Sequence, residues 1–224
     1  MAAIGALVGH PARSAILFAL LDGGRLPASE LAARAGASAQ ATSGHLAGLL
    51  AGGMLVAEAA GRQRLFSLAA PEVAHALEAL AAIARPVPIV ALRQNETMQR
   101  LREARTCYDH LAGRLGVAVT DRLRERGAIR ISEADFELTP RGERFFRSLE
   151  IDVESTRAAR RHFARACLDW TERRPHLAGS LGASLLQRFI AAKWVTPNAR
   201  ERSLRITPHG RAELARRFGI GLER

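Results

Sequence analysis

Apolar residues recur at helical spacing early in the chain. Ile16, Leu17, Leu20 and Leu21 form one stripe behind His10 and Pro11. Proline suits a first helical turn because its missing N–H would be unpaired there anyway, so a helix is predicted from this point to Gly23 and Gly24. A short helix over 28–35 is expected to stop at Gly36. Ser38 then caps a third helix over 39–52, with Leu46, Leu49 and Leu50 on its apolar side. Segments 54–58 and 64–68 flank Ala60, Gly61 and Arg62, which predicts a two-stranded hairpin with glycine at its tip. Two helices joined by a glycine-containing turn, followed by a hairpin, make a winged helix-turn-helix.

Beyond Arg85, Pro86 and Pro88, read as a stiff linker over 85–92, one stretch of sequence is used twice. Arg105, Cys107 and Asp109 recur as Arg165, Cys167 and Asp169, at an offset of 60. His110, Gly113, Leu115 and Gly116 recur as His176, Gly179, Leu181 and Gly182, at an offset of 66 after a six-residue insertion. Thr139, Pro140 and Gly142 recur as Thr207, Pro208 and Gly210, at an offset of 68. Each copy reads as a helix ending in Cys-x-Asp, a Leu-Ala-Gly turn and a helix from about 117 or 183. A strand pair follows, at 128–131 with 135–139 and at 194–196 with 203–207, and then a helix capped by Thr139 or Thr207. The expected fold is mainly α with short β-hairpins: a winged helix at 1–84, the linker, and two winged-helix-like repeats at 93–151 and 152–224.

The N-terminal residues also carry a family resemblance. His10, Pro11, Arg13, Ile16 and Leu17; Leu31, Ala32, Gly36 and Ser38; Ser43, His45, Leu46 and Leu49; Gly53 to Val56; and Gly61, Arg62 and Arg64 follow in an order and spacing similar to the ArsR/SmtB repressors. The resemblance covers about residues 1–83. It implies a dimeric, operator-binding transcription factor with a recognition helix at 39–52 and a wing at 58–66. The family's metal ligands do not carry over. The thiol position falls near Pro27, Ala28 and Ser29, and the dimer-helix position offers only Glu72, His75 and Glu78, a set that an ordinary amphipathic face explains.

The polar residues fit DNA binding on their own terms. Ser38, Gln40, Thr42, Ser43 and His45 are short donors and acceptors suited to base edges in the major groove, and Arg62 and Arg64 suit phosphates or the adjacent minor groove. The net charge of +11 is permissive for polyanion partners. It is unevenly placed: residues 1–85 hold six arginines against five acids, so nearly all the excess lies in the second half. That distribution keeps a rival class open, a non-specific nucleic-acid-binding or protein-interaction scaffold without sensing.

The duplicated half carries the remaining chemistry. Cys107, Asp109 and His110, with Cys167, Asp169 and His176, offer thiol, carboxylate and imidazole in two copies. If the copies pack about a pseudo-twofold axis, the cysteines face each other. Three readings stand: buried packing residues, a thiol redox switch activated by Arg105 and Arg165, or a metal or metalloid site. A small-molecule effector held near Tyr108, Trp170 and Trp194 is a further option. No cofactor is assigned, and no phosphate loop, nucleophile elbow or zinc-hydrolase pair points to an enzyme. The chain lacks a signal-peptide pattern, an apolar run long enough to span a membrane and a disulfide framework, so a cytoplasmic protein is expected, and the homodimer is what the family resemblance implies.

Overall fold

A computed structural model describes residues 2–21, 24–84, 92–133, 135–198 and 201–221. The predicted linker, apart from its last residue, and the helix stop at Gly23 lie outside the described residues. The chain forms two compact units, Met1–Leu77 and Glu78–Arg224. Among the described residues, no single helix is long and apolar enough to cross a membrane.

The first unit contains α1 (Ala2–Val8), α2 (Pro11–Ala19), β1 (Leu26–Pro27), α3 (Ala28–Ala35), α4 (Ala39–Ala51), β2 (Leu55–Ala60) and β3 (Gln63–Leu68). The boundary between the units falls inside α5 (Pro71–Ile83). Gly36 closes α3 in the left-handed conformation, at φ 61°, and so turns the chain into α4. Ser38 Oγ accepts the Ala41 N–H at 3.2 Å, the expected N-cap. The strands form an antiparallel sheet in the order β1-β3-β2, with Ala60 opposite Gln63 at the wing tip. Ile16, Leu17, Leu31, Leu46, Leu49, Leu55 and Phe66 are among its buried side chains, so the predicted apolar faces do turn inward.

The second unit opens with α6 (Leu92–Glu103) and then runs through one order of elements twice. The first copy is β4 (Arg105–Cys107), β5 (His110–Ala112), α7 (Gly113–Glu125), β6 (Ile129–Ser132), β7 (Asp135–Leu138) and α8 (Pro140–Ser148). After α9 (Val153–Ala158) come β8 (Arg165–Leu168), β9 (Pro175–Ala178), α10 (Gly179–Ala191), β10 (Val195–Pro197), β11 (Leu204–Ile206) and α11 (Pro208–Phe218). Thr139 and Thr207 cap α8 and α11 through the Gly142 and Gly210 N–H groups, as their sequences predict. Both copies contribute to one hydrophobic core, including Leu115, Phe136 and Phe146 from the first and Leu181, Phe189 and Phe218 from the second.

One expectation fails here. The Cys-x-Asp motifs do not end helices. Cys107 and Cys167 lie on strands, each in an antiparallel hairpin. A run of three residues is too short for apolar periodicity to separate strand from helix end, and pairing with the next segment decides it. The following helices start earlier than expected, at Gly113 and Gly179. These glycines have φ 76° and 78°, and a Cβ would stand 2.8 Å from the Arg102 carbonyl oxygen or 2.5 Å from that of His162. Only glycine combines that backbone with that approach.

α7 packs on β9, and α10 packs on β5, so each copy's helix covers the other copy's hairpin. Gly116 and Gly182 lie where each helix meets both hairpins. A Cβ at either would fall within 2.5 Å of a carbonyl oxygen of its own copy's hairpin, that of Leu111 or Leu177, and 3.7 Å from His176 Cβ or 3.3 Å from His110 Cβ of the other copy. The exchange places β5 against β9 and brings the two Cys-bearing hairpins together.

Candidate functional site

The first unit presents a polar surface along the N-terminal part of α4. Gln40 and Ser43 are exposed, with the Ser43 hydroxyl donating to the Ala39 carbonyl at 3.0 Å. Ser38 is exposed too, although its oxygen is occupied as the cap. His45 is half-buried, with its ring 4.5 Å from that of His10. Partial desolvation, then the neighbouring His10 and Arg13, hold its pKa below the ordinary imidazole value. Arg62 and Arg64 are exposed at the hairpin tip, the latter with its guanidinium 5.6 Å from the centre of the Phe66 ring.

Thr42 departs from the predicted set. It is only 1% exposed and shares the inward side of α4 with Leu46 and Leu49. Position 42 precedes those leucines by four and seven residues, and helical geometry puts all three on one face. Thr42 is therefore a core residue.

In the second unit the hairpin registers pair each cysteine with a histidine. Cys107 is opposite His110, and Cys167 is opposite His176. The six-residue insertion sits in the β8–β9 turn, where Asp169 Oδ1 accepts from the Thr171 and Glu172 N–H groups and the Thr171 hydroxyl. It lengthens the turn without moving the pair. The two sulfurs are 3.8 Å apart, and the two Nε2 atoms are 3.1 Å apart. All four side chains are buried, and one donor atom from each lies within 4.8 Å of every other.

A carboxylate stands behind each imidazole. Asp109 Oδ1 is 3.3 Å from His110 Nδ1, and Asp109 is also gripped by Arg161. Asp169 Oδ2 is 3.3 Å from His176 Nδ1, a contact without the alignment of a formed hydrogen bond. The same oxygen accepts from Arg105 Nη2 at 3.0 Å and from the Gly113 N–H at 2.7 Å. Burial alone would raise both carboxyl pKa values. Bonding to His110 and Arg161 outweighs it and holds Asp109 down at about 2. His176, Arg105 and Thr171 likewise keep Asp169 below the usual carboxylate range. Burial opposes charging of His176, but Asp169 and Cys107 push its pKa up to about 9.

Arg105 itself is fully buried, 4.9 Å from the Trp170 ring centre and 3.6 Å from Glu78 Oε2. Glu78 pairs again with Arg202 at 2.5 Å. This corrects the idea that Arg105 activates a thiol. Its charge is directed at Asp169 and Glu78, and the bond to Cys167 together with burial pushes the Cys107 thiol pKa up. Glu78 is likewise engaged in ion pairs and is not an open ligand beside Glu72 and His75.

Comparison with known proteins bears on the first unit and on the chain as a whole. No protein-family model matches. The chain is 39% identical over 220 residues to the uncharacterized HTH-type transcriptional regulator YdfF of Bacillus subtilis, covering 98% of this chain and 97% of that one. This chain belongs to the HTH-type transcriptional regulators. Among solved structures it is similar to the cadmium metal-sensor CMTR from Mycobacterium tuberculosis, 36% identical, covering 42% of this chain and all of that one with a TM-score of 0.33. It is also similar to HlyU from Vibrio cholerae, 29% identical, covering 35% of this chain and 85% of that one, also at 0.33.

As an HTH-type transcriptional regulator, the chain has DNA as its partner. The six sensor candidates of the second unit are brought together, whereas the aromatic trio is not one lining. Trp194 packs in the core against Phe189 and Phe218, and Trp170 lies against Arg105. Arg161 and Arg202 escaped the sequence reading because nothing in their spacing marks them. Only the packing of distant segments gives them carboxylate partners.

Proposed function

We propose that this regulator is a repressor that binds a palindromic operator as a homodimer, with α4 of each copy in successive major grooves roughly 34 Å apart. Ser38, Gln40, Ser43 and His45 face the bases, and Arg62 and Arg64 hold the flanking backbone. The carrying observation is that Gln40 and Ser43 stand exposed on a capped helix whose opposite face is locked into the core, beside a wing with two exposed arginines. A helix fixed in that way presents its polar groups without rearrangement. Ile4 and Phe18 remain exposed on α1 and α2, as do Leu80 and Ile83 on the last turns of α5, and apolar surface of this kind favours a second copy. The second unit supplies the signal, and ligand occupancy there shifts the population of DNA-competent dimers.

The scaffold alternative draws on the basic second half, but many of its arginines are already paired. Arg100, Arg130, Arg147, Arg157, Arg216 and Arg217 each meet a glutamate. A gel shift on the regulator's own promoter tests the reading. Wild type should bind that fragment in preference to unrelated DNA, and a Gln40→Ala/Arg64→Ala chain should lose the preference. Equal binding by the two proteins would overturn operator recognition. Loss of repression should also raise reporter expression from that promoter when the gene is deleted.

A further inference from the structure

We propose that Cys107, His110, Cys167 and His176 are the four ligands of a tetrahedral site for one borderline-soft divalent cation, zinc or a cation of like chemistry such as cobalt(II). The donor spacing fits that coordination. Zinc–sulfur bonds of about 2.3 Å and zinc–nitrogen bonds of about 2.0–2.1 Å imply tetrahedral edges of about 3.8 Å between sulfurs and about 3.3 Å between nitrogens. The corresponding separations are 3.8 Å and 3.1 Å. A disulfide would need sulfurs about 2.05 Å apart.

The second observation is the orientation of the imidazoles. Arg161 holds Asp109 ionised, and Arg105 does the same for Asp169, so each carboxylate can only accept. Their positions beside Nδ1, at 3.3 Å in each case, go with rings whose Nε2 atoms point toward each other and toward the two sulfurs. The two Nε2 atoms meet at 3.1 Å, a separation that a shared proton bridges, and a cation bound between them takes the place of that proton. Carboxylate behind histidine is also the arrangement that raises ligand basicity and fixes ring orientation in metal sites.

Charge balances as well. The cation binds as both thiols and the Nε2–Nε2 contact release their protons to solvent, and two metal–sulfur and two metal–nitrogen bonds form, so two thiolates offset the double positive charge and the buried centre is neutral. With four protein donors and no side chain of the set exposed, the coordination is closed. Such a site is structural in type and does not activate a water. Its effect is to tie the β4–β5 hairpin to the β8–β9 hairpin across the junction of the two copies. This site is independent of operator recognition and stands or falls separately from it.

Cobalt(II) titration of the full-length, reduced, chelator-stripped regulator tests the proposal. Wild type should take up one cobalt per chain, with the strong visible bands of tetrahedral coordination and thiolate-to-cobalt charge transfer in the near ultraviolet. Zinc should then displace it and bleach both. Cys107→Ser/Cys167→Ser should lose the charge-transfer bands, and His110→Gln should weaken binding at least tenfold. Folded wild type that shows only weak octahedral bands, or that keeps its spectrum after both cysteines are replaced, overturns the site. The wild-type titration decides the question even if the variants do not fold. Rapid formation of a Cys107–Cys167 disulfide in air together with no cobalt uptake by the reduced chain would also overturn it, in favour of a redox pair.

Discussion

His110 and His176 meet Nε2 to Nε2 at 3.1 Å, although they lie 66 residues apart on different hairpins. Neither hairpin places its histidine there alone. The meeting depends on the exchange of α7 and α10 across the copies, and therefore on the two glycines that let the helices approach.

Replacing Gly182 by alanine is expected to destabilise the second unit by about 1–3 kcal/mol, because the new methyl would sit 2.4 Å from the Leu177 carbonyl oxygen. The backbone on both sides is committed to secondary structure and has little room to yield. Urea unfolding followed by circular dichroism measures the loss, and an unchanged midpoint would contradict the close packing described above.

Gly44→Ala should act in the opposite direction on stability. No heavy atom lies within 4 Å of a Cβ there, and alanine in a helix interior gains up to about 1 kcal/mol over glycine. The added methyl also projects from the exposed side of α4, so operator affinity should fall while the melting temperature rises. Thermal melts and gel shifts on the same preparation separate the two effects.

Thr42→Val should leave DNA binding unchanged. Its buried Oγ1 has no hydrogen-bond partner among the described residues, so losing the hydroxyl is expected to be neutral or to stabilise by about 1 kcal/mol. By contrast, Arg64→Ala should weaken binding to all sequences alike and reduce the slope of log affinity against log salt by about 1.

Glu78→Ala leaves the buried Arg105 and the partly buried Arg202 without one of their counter-charges and should cost about 3–5 kcal/mol of stability. The pH dependence has a definite sign. Burial opposes ionisation of Glu78, but Arg202 and Arg105 outweigh it and lower its pKa. Its contribution is thus complete above the ordinary carboxylate pKa and is lost as pH falls through the depressed folded value. In urea midpoints from neutral to acid pH, wild type should fall toward the Glu78→Ala protein, and parallel curves would rule the pair out as the source.

Metal removal should loosen the second unit. At zinc a hundredfold above its dissociation constant, mass action stabilises the folded chain by about 2.7 kcal/mol. A chelator should lower the melting temperature of wild type and leave that of Cys107→Ser/Cys167→Ser where it was. Equal responses would mean that any metal effect arises elsewhere.

Elements built from neighbouring residues were legible in the sequence. Ser38 and the Leu46–Leu49 stripe define α4, Gly61 marks the wing tip, and Thr139 and Thr207 cap their helices, because caps, turns and apolar faces involve residues only a few positions apart. The cysteine hairpins are not legible as strands, because strands of three or four residues carry no periodicity of their own. Thr42 suits a base edge by its polarity, but its spacing from Leu46 and Leu49 puts it on the buried face.

By itself, then, the sequence determined the winged-helix unit, the repetition of the second half and the identity of its paired thiols, acids and imidazoles. Only the tertiary structure decided that Cys107, His110, Cys167 and His176 share one buried centre, and that Asp109 and Asp169 stand behind the imidazoles. The physical reason is that strand pairing sets which residues face each other. A turn can then absorb six extra residues without disturbing a single pair, so spacing along the chain conceals what register across the hairpins brings together.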